Sequence, residues 1–569
     1  MKKLIIFLLV LNTAIPINAT DFTYKGLNFT IISEENKTCM VAKNYDVSNT
    51  IEIPSVAIFK DTMYTVTEII TEAFAGCNGL TTVSIPNSVT SIGESPFNCC
   101  ENLVAINVAN DNPNYTSIDG TLYSKSIKSL IQCPPGFNGA FEIPNSVTSI
   151  NNRAFYCCSG LSSVNIPNSV TMIGDQAFSN CYELTSITIP DSVISIGNFA
   201  FRYTNVISIT IPNSVTSVGI GAFDGCSHLT SVNIPNSVTT LNDFLFSDCI
   251  NLSIINIPTS ISSIGGYVFR NCRHLVSIYI PTSVISIGDY CFEDCVCLTS
   301  ITIPNSVKSV GAYAFHRCSE LTSVDISNSV TAISNGTFAN CIKLPSVSIP
   351  NSVTFIGDEA FSKCSKLLTV DIPSSVKSIG AHAFSWCSNL TSIDVPNSIT
   401  SIGNCSFAWC TSLISVDIPY SVISIGDYAF YYCSTLELVN FHSTLSIGDN
   451  AFGYCEKITN VLCHTSIPPT IKFEAFENTV YDTAILHVPI GTKVAYTSAP
   501  KWSMFELIVD DLTAETGIED ITEDLMEKDK ISFDIYNLQG QKLNISTYDE
   551  IYTLSKGVYI INGNKILVK

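Results

Sequence analysis

Ile166-Pro167-Asn168-Ser169-Val170-Thr171-Met172-Ile173-Gly174-Asp175-Gln176-Ala177-Phe178-Ser179-Asn180-Cys181-Tyr182-Glu183-Leu184-Thr185-Ser186-Ile187-Thr188 is one copy of a 23-residue unit, and Ile189-Pro190 opens the next. The unit recurs from Ala73 to about Phe452. A unit this short cannot bury its own apolar face, so it must stack on its neighbours, and a fixed period of this length means a solenoid. Function is then sought first on a long repetitive surface rather than in a pocket.

Prolines equivalent to Pro167 stand at 86, 144, 190, 212, 235, 258, 281, 304, 350, 373, 396 and 419, with Ser327 in the skipped slot. The step from 190 to 212 is one residue short, and the step from 86 to 144 is 58, or 23 plus an excess of 35. Leu161 to Ile166 alternates apolar and polar toward its end and predicts a short β-strand. Pro167 lacks an N–H and marks the exit. Asn168-Ser169 starts a turn, because such side chains bond nearby backbone. Ile173-Gly174 is a second corner, and Asp175 to Cys181 predicts one short helical turn. Every unit enters from the same side, so successive strands are parallel and about 4.8 Å apart. The Phe series from Phe74 through Phe315 to Phe452 is expected to point inward.

Composition narrows the classes. Apolar residues make up 46% of the 569, and charged residues only 14%, against roughly 25% in ordinary domains. Ser, Thr and Asn fill the exposed positions instead. The net charge of -21 makes nucleic acid and anionic membrane poor partners. Lys2-Lys3, the apolar run Leu4 to Leu11 and Ile17-Asn18-Ala19 predict a secretory signal peptide over 1–19. No segment after it has about 20 apolar residues in a row, so no transmembrane helix is expected.

The pattern Leu-x-x-Val/Ile-x-Ile-Pro-x-Ser-Val-x-x-Ile-Gly-x-x-Ala-Phe-x-x-Cys resembles the BspA-type leucine-rich repeat, also called the Treponema pallidum type. The resemblance covers roughly residues 60 to 460. It implies a repeat solenoid with a parallel β-sheet on the concave face and short helical turns and loops on the convex face. It also implies bacterial surface proteins that adhere to host proteins or other cells. Around the array (61–458), residues 20–60 read as an N-terminal β cap. An insert at 109–143 carries a hairpin signal at Asp119-Gly120, and 459–508 reads as a C-terminal cap closed by Trp502 and Phe505. Residues 509–530 read as an acidic linker; from Glu506 to Lys530 there are ten acidic and two basic residues, a net of -8. Residues 531–569 alternate like strands, with a hairpin signal at Asn562-Gly563. Tyr536 to Lys542, Gly557 to Ile561 and the basic end Lys565 to Lys569 resemble the C-terminal sorting domain of the Bacteroidetes type IX secretion system. That resemblance implies passage through the outer membrane, loss of the tail and attachment at the cell surface.

Fifteen of the 23 cysteines fall in one repeat slot, from Cys77 to Cys455, and Thr204 replaces the slot once. The other eight are Cys39, Cys99, Cys133, Cys157, Cys291, Cys297, Cys405 and Cys463. No Cys-x-x-Cys pair occurs, so a buried thiol column is expected and no metal or cofactor. The Ser two after the proline reads as a turn residue, not a nucleophile. The seven histidines share no repeat slot on this reading. No Walker loop, His-Glu-x-x-His or EF-hand loop is present, so no enzyme is expected. Asp191-Ser192-Val193 and Asp482-Thr483-Ala484 resemble Bacteroidetes O-glycosylation sites.

The slot two before the proline should leave the strand toward solvent. It holds Asn233, Asn256, Tyr279, Thr302, Asp325, Asp371, Asp394 and Asp417, with Ser mostly two residues earlier. One reading is a solvated sheet face that records duplication. Another is a binding groove with an acidic end, suited to a basic protein patch or a polyhydroxy chain. The expectation is an exported, non-catalytic protein of the outer cell surface. Its partners would be host or neighbouring-cell surface and extracellular proteins, bound through the concave sheet. A glycan-binding surface protein and a structural coat protein are the alternatives.

Overall fold

In a computed structural model of the chain, the described residues are 20–513 together with the strands at 519–520, 535–537, 542–543, 557–561 and 564–568. The expected leader, most of the expected linker and the Asn562-Gly563 signal lie outside them. The chain divides into two units, Met1–Lys343 and Leu344–Lys569.

Each unit is a β-solenoid whose coils carry three stacked columns. In the coil opened by Pro167, the strand Gly160–Asn165 belongs to the first column and pairs in parallel with Asn138–Glu142 and Ser186–Ile187. Leu161 and Val164 are buried and Asn165 is exposed. The expected corner at Ile173 is itself a two-residue strand, Met172–Ile173, paired in parallel with Ser149–Ile150 and Ser195–Ile196. This second column is short because only its Ile or Val points inward. The glycine after it is required by close approach: a Cβ on Gly174 would stand 2.5 Å from the Asn152 backbone nitrogen.

The third column corrects the expected helical turn. Across 174–181 the N–H groups of Ala177, Ser179 and Cys181 close tight turns onto Gly174, Gln176 and Phe178. Those of Gln176, Phe178 and Asn180 donate to Asn198, Ala200 and Arg202 of the next coil at 2.7–2.8 Å. Gln176 and Asn180 have φ of 54° and 63°, which a right-handed helix does not allow. A helix would satisfy its N–H groups internally and leave the next coil without donors. A left-handed residue costs about 1–2 kcal/mol, and one net hydrogen bond at roughly 0.5–1.5 kcal/mol offsets most of that.

The interior consists of equally regular rows. Phe rings stack face to face, 4.9–6.0 Å between centroids from Phe155 to Phe338 in the first unit. In the second unit the stack runs from Phe361 at 5.2–5.4 Å and continues past Phe452 to Phe476. The slot cysteines are buried, and most thiols reach the Phe carbonyl of the preceding coil, as Cys181 to Phe155 at 3.1 Å and Cys318 to Phe292 at 3.2 Å; Cys77 reaches Asn44 and Cys158 reaches Pro134 instead. Thr204 bonds within its own coil instead, its hydroxyl 2.9 Å from the Phe201 carbonyl. Burial pushes the Cys226 and Cys410 thiols up to about 12. The Ser two after the proline does not close a local turn. Ser169 donates to the Val147 carbonyl at 2.6 Å and Ser192 to Val170 at 2.7 Å, one coil back.

In the first unit, Thr62–Ile69 lies between Thr38–Val41 and Val56–Phe59 in a sheet with Asp21–Tyr24 and Leu27–Ser33, and Ser91–Ile92 joins it. The first column already begins at Asn49–Glu52, inside the segment read as cap. The residues between 109 and 144 are not a simple insert. They hold a complete coil, with Ser129–Gln132 in the second column and Asn138–Glu142 in the first, plus the hairpin Tyr115–Ile118/Thr121–Ser124. Asp119 and Gly120 turn that hairpin with φ of 49° and 75°. This coil's turn is Cys133-Pro134-Pro135-Gly136-Phe137, without the Ala-Phe-x-x-Cys pattern. Cys99 and Cys157, each two after a column Phe in the flanking coils, stand with Cα atoms 5.3 Å apart and form a disulfide.

In the second unit, Leu507–Leu512 pairs with Ile485–Pro489 and ends the first column, so 509–512 are strand where linker was expected. Helices Asn478–Thr483 and Lys493–Ser498 and buried Trp502 and Phe505 lie beside it, and Trp502 donates Nε1–H to the Pro469 carbonyl at 2.6 Å. The tail strands pair among themselves in one five-stranded sheet.

Candidate binding surface on the first strand column

All eight residues singled out in the slot two before the proline are exposed. The cause is local: Val or Ile one residue earlier and Ile one later turn inward, and the two-residue period of a strand sends the slot outward. In the first unit the register Thr210↔Asn233↔Asn256 places amides and a hydroxyl side by side. Thr302↔Asp325 follows the same rule. Tyr279 lies outside a regular strand yet is 67% exposed. An open depression of about 730 Å³ lies over Ser186, Thr188, Ser208, Thr210, Asn213 and Asn233. A second of about 390 Å³ begins at Asn213 and Asn233 and runs past Asn236 and Asn256 to Tyr279.

The second unit presents carboxylates in that slot. Asp371 pairs with Ser348, Asp394 stands directly opposite Asp417, and Asp417 opposes Asn440. Opposed like charges destabilise a sheet. Asp417 is relieved by two donors, Asn440 Nδ2 at 2.7 Å and His442 Nε2 at 2.8 Å. The hydrogen bond from His442 is the main reason its carboxyl lies below the usual carboxylate range. His442 stacks on His464, with ring centroids 4.5 Å apart. Farther along, His487 Nδ1 lies 2.9 Å from Asp511 and its Nε2 3.2 Å from Asn460 Oδ1.

The reading that the histidines share no slot is corrected here. Ile418↔Phe441↔Cys463 are in register, so His442 and His464 both follow a column residue where Pro419 stands in the preceding coil. The signal was present: 419 plus 23 is 442, and a coil one residue short gives 464. A second missed feature lies on the turn column. Phe244, Tyr267, Tyr290 and Tyr313 stack at 4.6, 4.9 and 5.1 Å, and Trp386, Trp409 and Tyr432 at 4.4 and 4.0 Å. All seven occupy left-handed positions, at φ of 55–65°. Each ring covers a face of its neighbour, so the columns brace successive coils, while Trp386 and Tyr432 remain partly exposed.

Among the described residues no group of three His, Cys, Asp or Glu is placed to hold a metal ion, and no helix is long and apolar enough to cross a membrane. The repeat slots, the strand columns and the matching family agree. The chain belongs to the family described as BspA type leucine rich repeat region, whose copies match residues 42–138, 137–253, 194–321, 269–391 and 377–495. Similar solved structures include a leucine-rich repeat protein from Bacteroides ovatus ATCC 8483, 28% identical over 80% of this chain and 100% of that one, with a TM-score of 0.44. A leucine rich cell surface protein from Faecalibacterium prausnitzii A2-165 is 28% identical over 66% and 95%, with a TM-score of 0.41. The leucine rich repeat protein of T. pallidum is 24% identical over 45% and 91%, with a TM-score of 0.21. No curated protein matches the chain.

Proposed function

We propose that this chain is an exported protein of the bacterial outer surface that binds host or neighbouring-cell proteins, without catalysis, through the outward row of its first strand column. The observation that carries the proposal is the opposition of Asp394 and Asp417. Most other coils fill this slot with Asn, Thr or Ser, so the fold does not need acid there. The opposed carboxylates at 394 and 417 weaken the sheet, and with Asp371 in the same slot they raise a negative field that suits a Lys- or Arg-rich patch. Asp325 adds a carboxylate in the first unit. The basic n-region and apolar run at the N-terminus support export, and the 531–569 resemblance supports delivery by type IX secretion and attachment after loss of the tail.

The test is binding of the purified chain to immobilised extracellular-matrix proteins at low and high salt, alongside a variant carrying Asp325→Asn, Asp371→Asn, Asp394→Asn and Asp417→Asn. Salt-sensitive binding by the parent and its loss in the variant are expected, mainly through a slower association rate. Equal binding by both chains would remove the acidic row from the function.

A further inference from the structure

The outward row of the first unit differs from that of the second in one respect: over 185–279 it is almost without charge. The two depressions share Asn213 and Asn233 and so form one trough across consecutive coils. Asp191 is the one acidic or basic residue on its walls, in a chain of net charge -21. At each rung the slot offers a hydroxyl or an amide: Thr188, Thr210, Asn233, Asn256 and finally Tyr279. Asn213 and Asn236 add amides from the proline corner.

These amides differ from others in the same chain. Asn165 in the slot is engaged by Glu142 at 2.7 Å, and Asn440 by Asp417 at 2.7 Å. The side-chain amides of Asn213, Asn233, Asn236 and Asn256 have no hydrogen bond to another described residue, and each is exposed. An amide both donates and accepts, as does a hydroxyl. A wall of such groups without charge selects neither ions nor charged polymers. It suits a ligand whose own groups both donate and accept at regular intervals. The groups recur at the strand spacing of about 4.8 Å, comparable to the advance of one sugar ring along an extended chain. Tyr279, 67% exposed at one end, adds a ring for the C–H face of a sugar. A protein partner would favour aromatic and Arg-anchored pockets, and the trough has one aromatic residue and no Arg.

From this juxtaposition we infer that the trough between Thr185 and Tyr279 binds a neutral, linear polysaccharide, a site distinct from the acidic row of the second unit. Two sites of opposite character would let the chain hold a glycan and a basic protein independently.

The experiment uses the full chain and a panel of uncharged hexose oligosaccharides: β-1,4- and β-1,3-linked glucose, α-1,4-linked glucose and β-1,4-linked mannose hexamers. Binding is measured by calorimetry at low and high salt. Saturable binding of at least one hexamer, insensitive to salt, is expected. Asn233→Ala with Asn256→Ala, and separately Tyr279→Ala, should each weaken it roughly tenfold or more. The second-unit variant Asp371→Asn/Asp394→Asn/Asp417→Asn should bind that hexamer like the parent. An unchanged melting temperature in the trough variants shows that they fold. Absence of binding to every hexamer, binding equal in parent and trough variants, or binding abolished by salt would each overturn the inference. None of those outcomes bears on protein binding by the acidic row, so the two readings stand or fall separately.

Discussion

The outward rows of the two units are built on the same backbone and carry different chemistry. In the first unit the slot two before the proline holds Thr210, Asn233 and Asn256, side by side and uncharged. In the second it holds Asp371, Asp394 and Asp417, two of them in direct opposition. Behind both rows lie the same buried Val or Ile, the same Phe stack and the same thiols. The difference teaches that the coil constrains its inward slots and leaves the outward one free to vary. Duplication supplies a uniform frame, and single exposed positions then diverge with little effect on folding.

That division between a shared interior and divergent rows can be broken from the inside first. Phe315→Ala and Phe384→Ala remove one ring from the stacks of the first and second units. Each is expected to cost about 3–5 kcal/mol, because a fully buried Phe leaves a cavity between two neighbours that cannot close on it. Chemical denaturation followed by fluorescence checks this; a cost below 1 kcal/mol in one unit and not the other would show that the interiors are not equivalent. The corner glycines come next. A Cβ at Gly174 or Gly380 would stand 2.5 or 2.6 Å from backbone nitrogen in the coil behind it. Alanine at either position should destabilise by about 1–3 kcal/mol through forced separation of coils.

Smaller effects sharpen the contrast between the rows themselves. Asp394→Asn relieves an opposed carboxylate pair and should raise stability by about 0.2–1 kcal/mol, more at low salt. Asn256→Asp, which places acid opposite Asn233 rather than opposite another acid, should change stability by less than about 0.5 kcal/mol. Thermal melts of the two variants at matched ionic strength test the pair together; a stabilisation by Asn256→Asp equal to that of Asp394→Asn would show that opposed charge is not what distinguishes the rows. Acid adds a further check. The Asp417 carboxyl is held low chiefly by the His442 hydrogen bond, so its stabilising contribution is present above the unfolded value of about 4 and is lost as pH falls through the folded value. The advantage of the parent over Asp417→Asn should therefore hold at neutral pH and shrink as pH falls below about 5. An advantage constant over that range would separate Asp417 from His442.

Much of this was legible in the residues. The 23-residue period implied stacking, the alternation around Val164 implied an outward slot, and the Phe and Cys series implied buried columns. What escaped reading has a common physical cause: it depends on the coil next door. Asp175 to Cys181 looks helical when read alone, but Gln176, Phe178 and Asn180 donate to a neighbour 22 residues on. Ser169 looks like a local turn residue, but its hydroxyl serves Val147. Cys99 and Cys157 are 58 residues apart, in the two coils that flank the one turning at 133–137. His442 and His464 were hidden differently, because the proline that marks their slot had given way to them. Trp386 and Trp409 stand one period apart, but the signal is short, since their slot holds Asn, Asp or Lys in many other coils.

The claim under all of this is that coils stack in register, hiding thiols and rings while turning one row outward. Thiol counting on unreduced protein, native and then denatured, tests it most directly. Of 23 cysteines two are bridged, so 21 should react after denaturation, while in the native state only the half-buried Cys297 and Cys405 should react readily. Rapid native labelling of the slot cysteines, or a denatured count of only a few thiols, would contradict the stacked column.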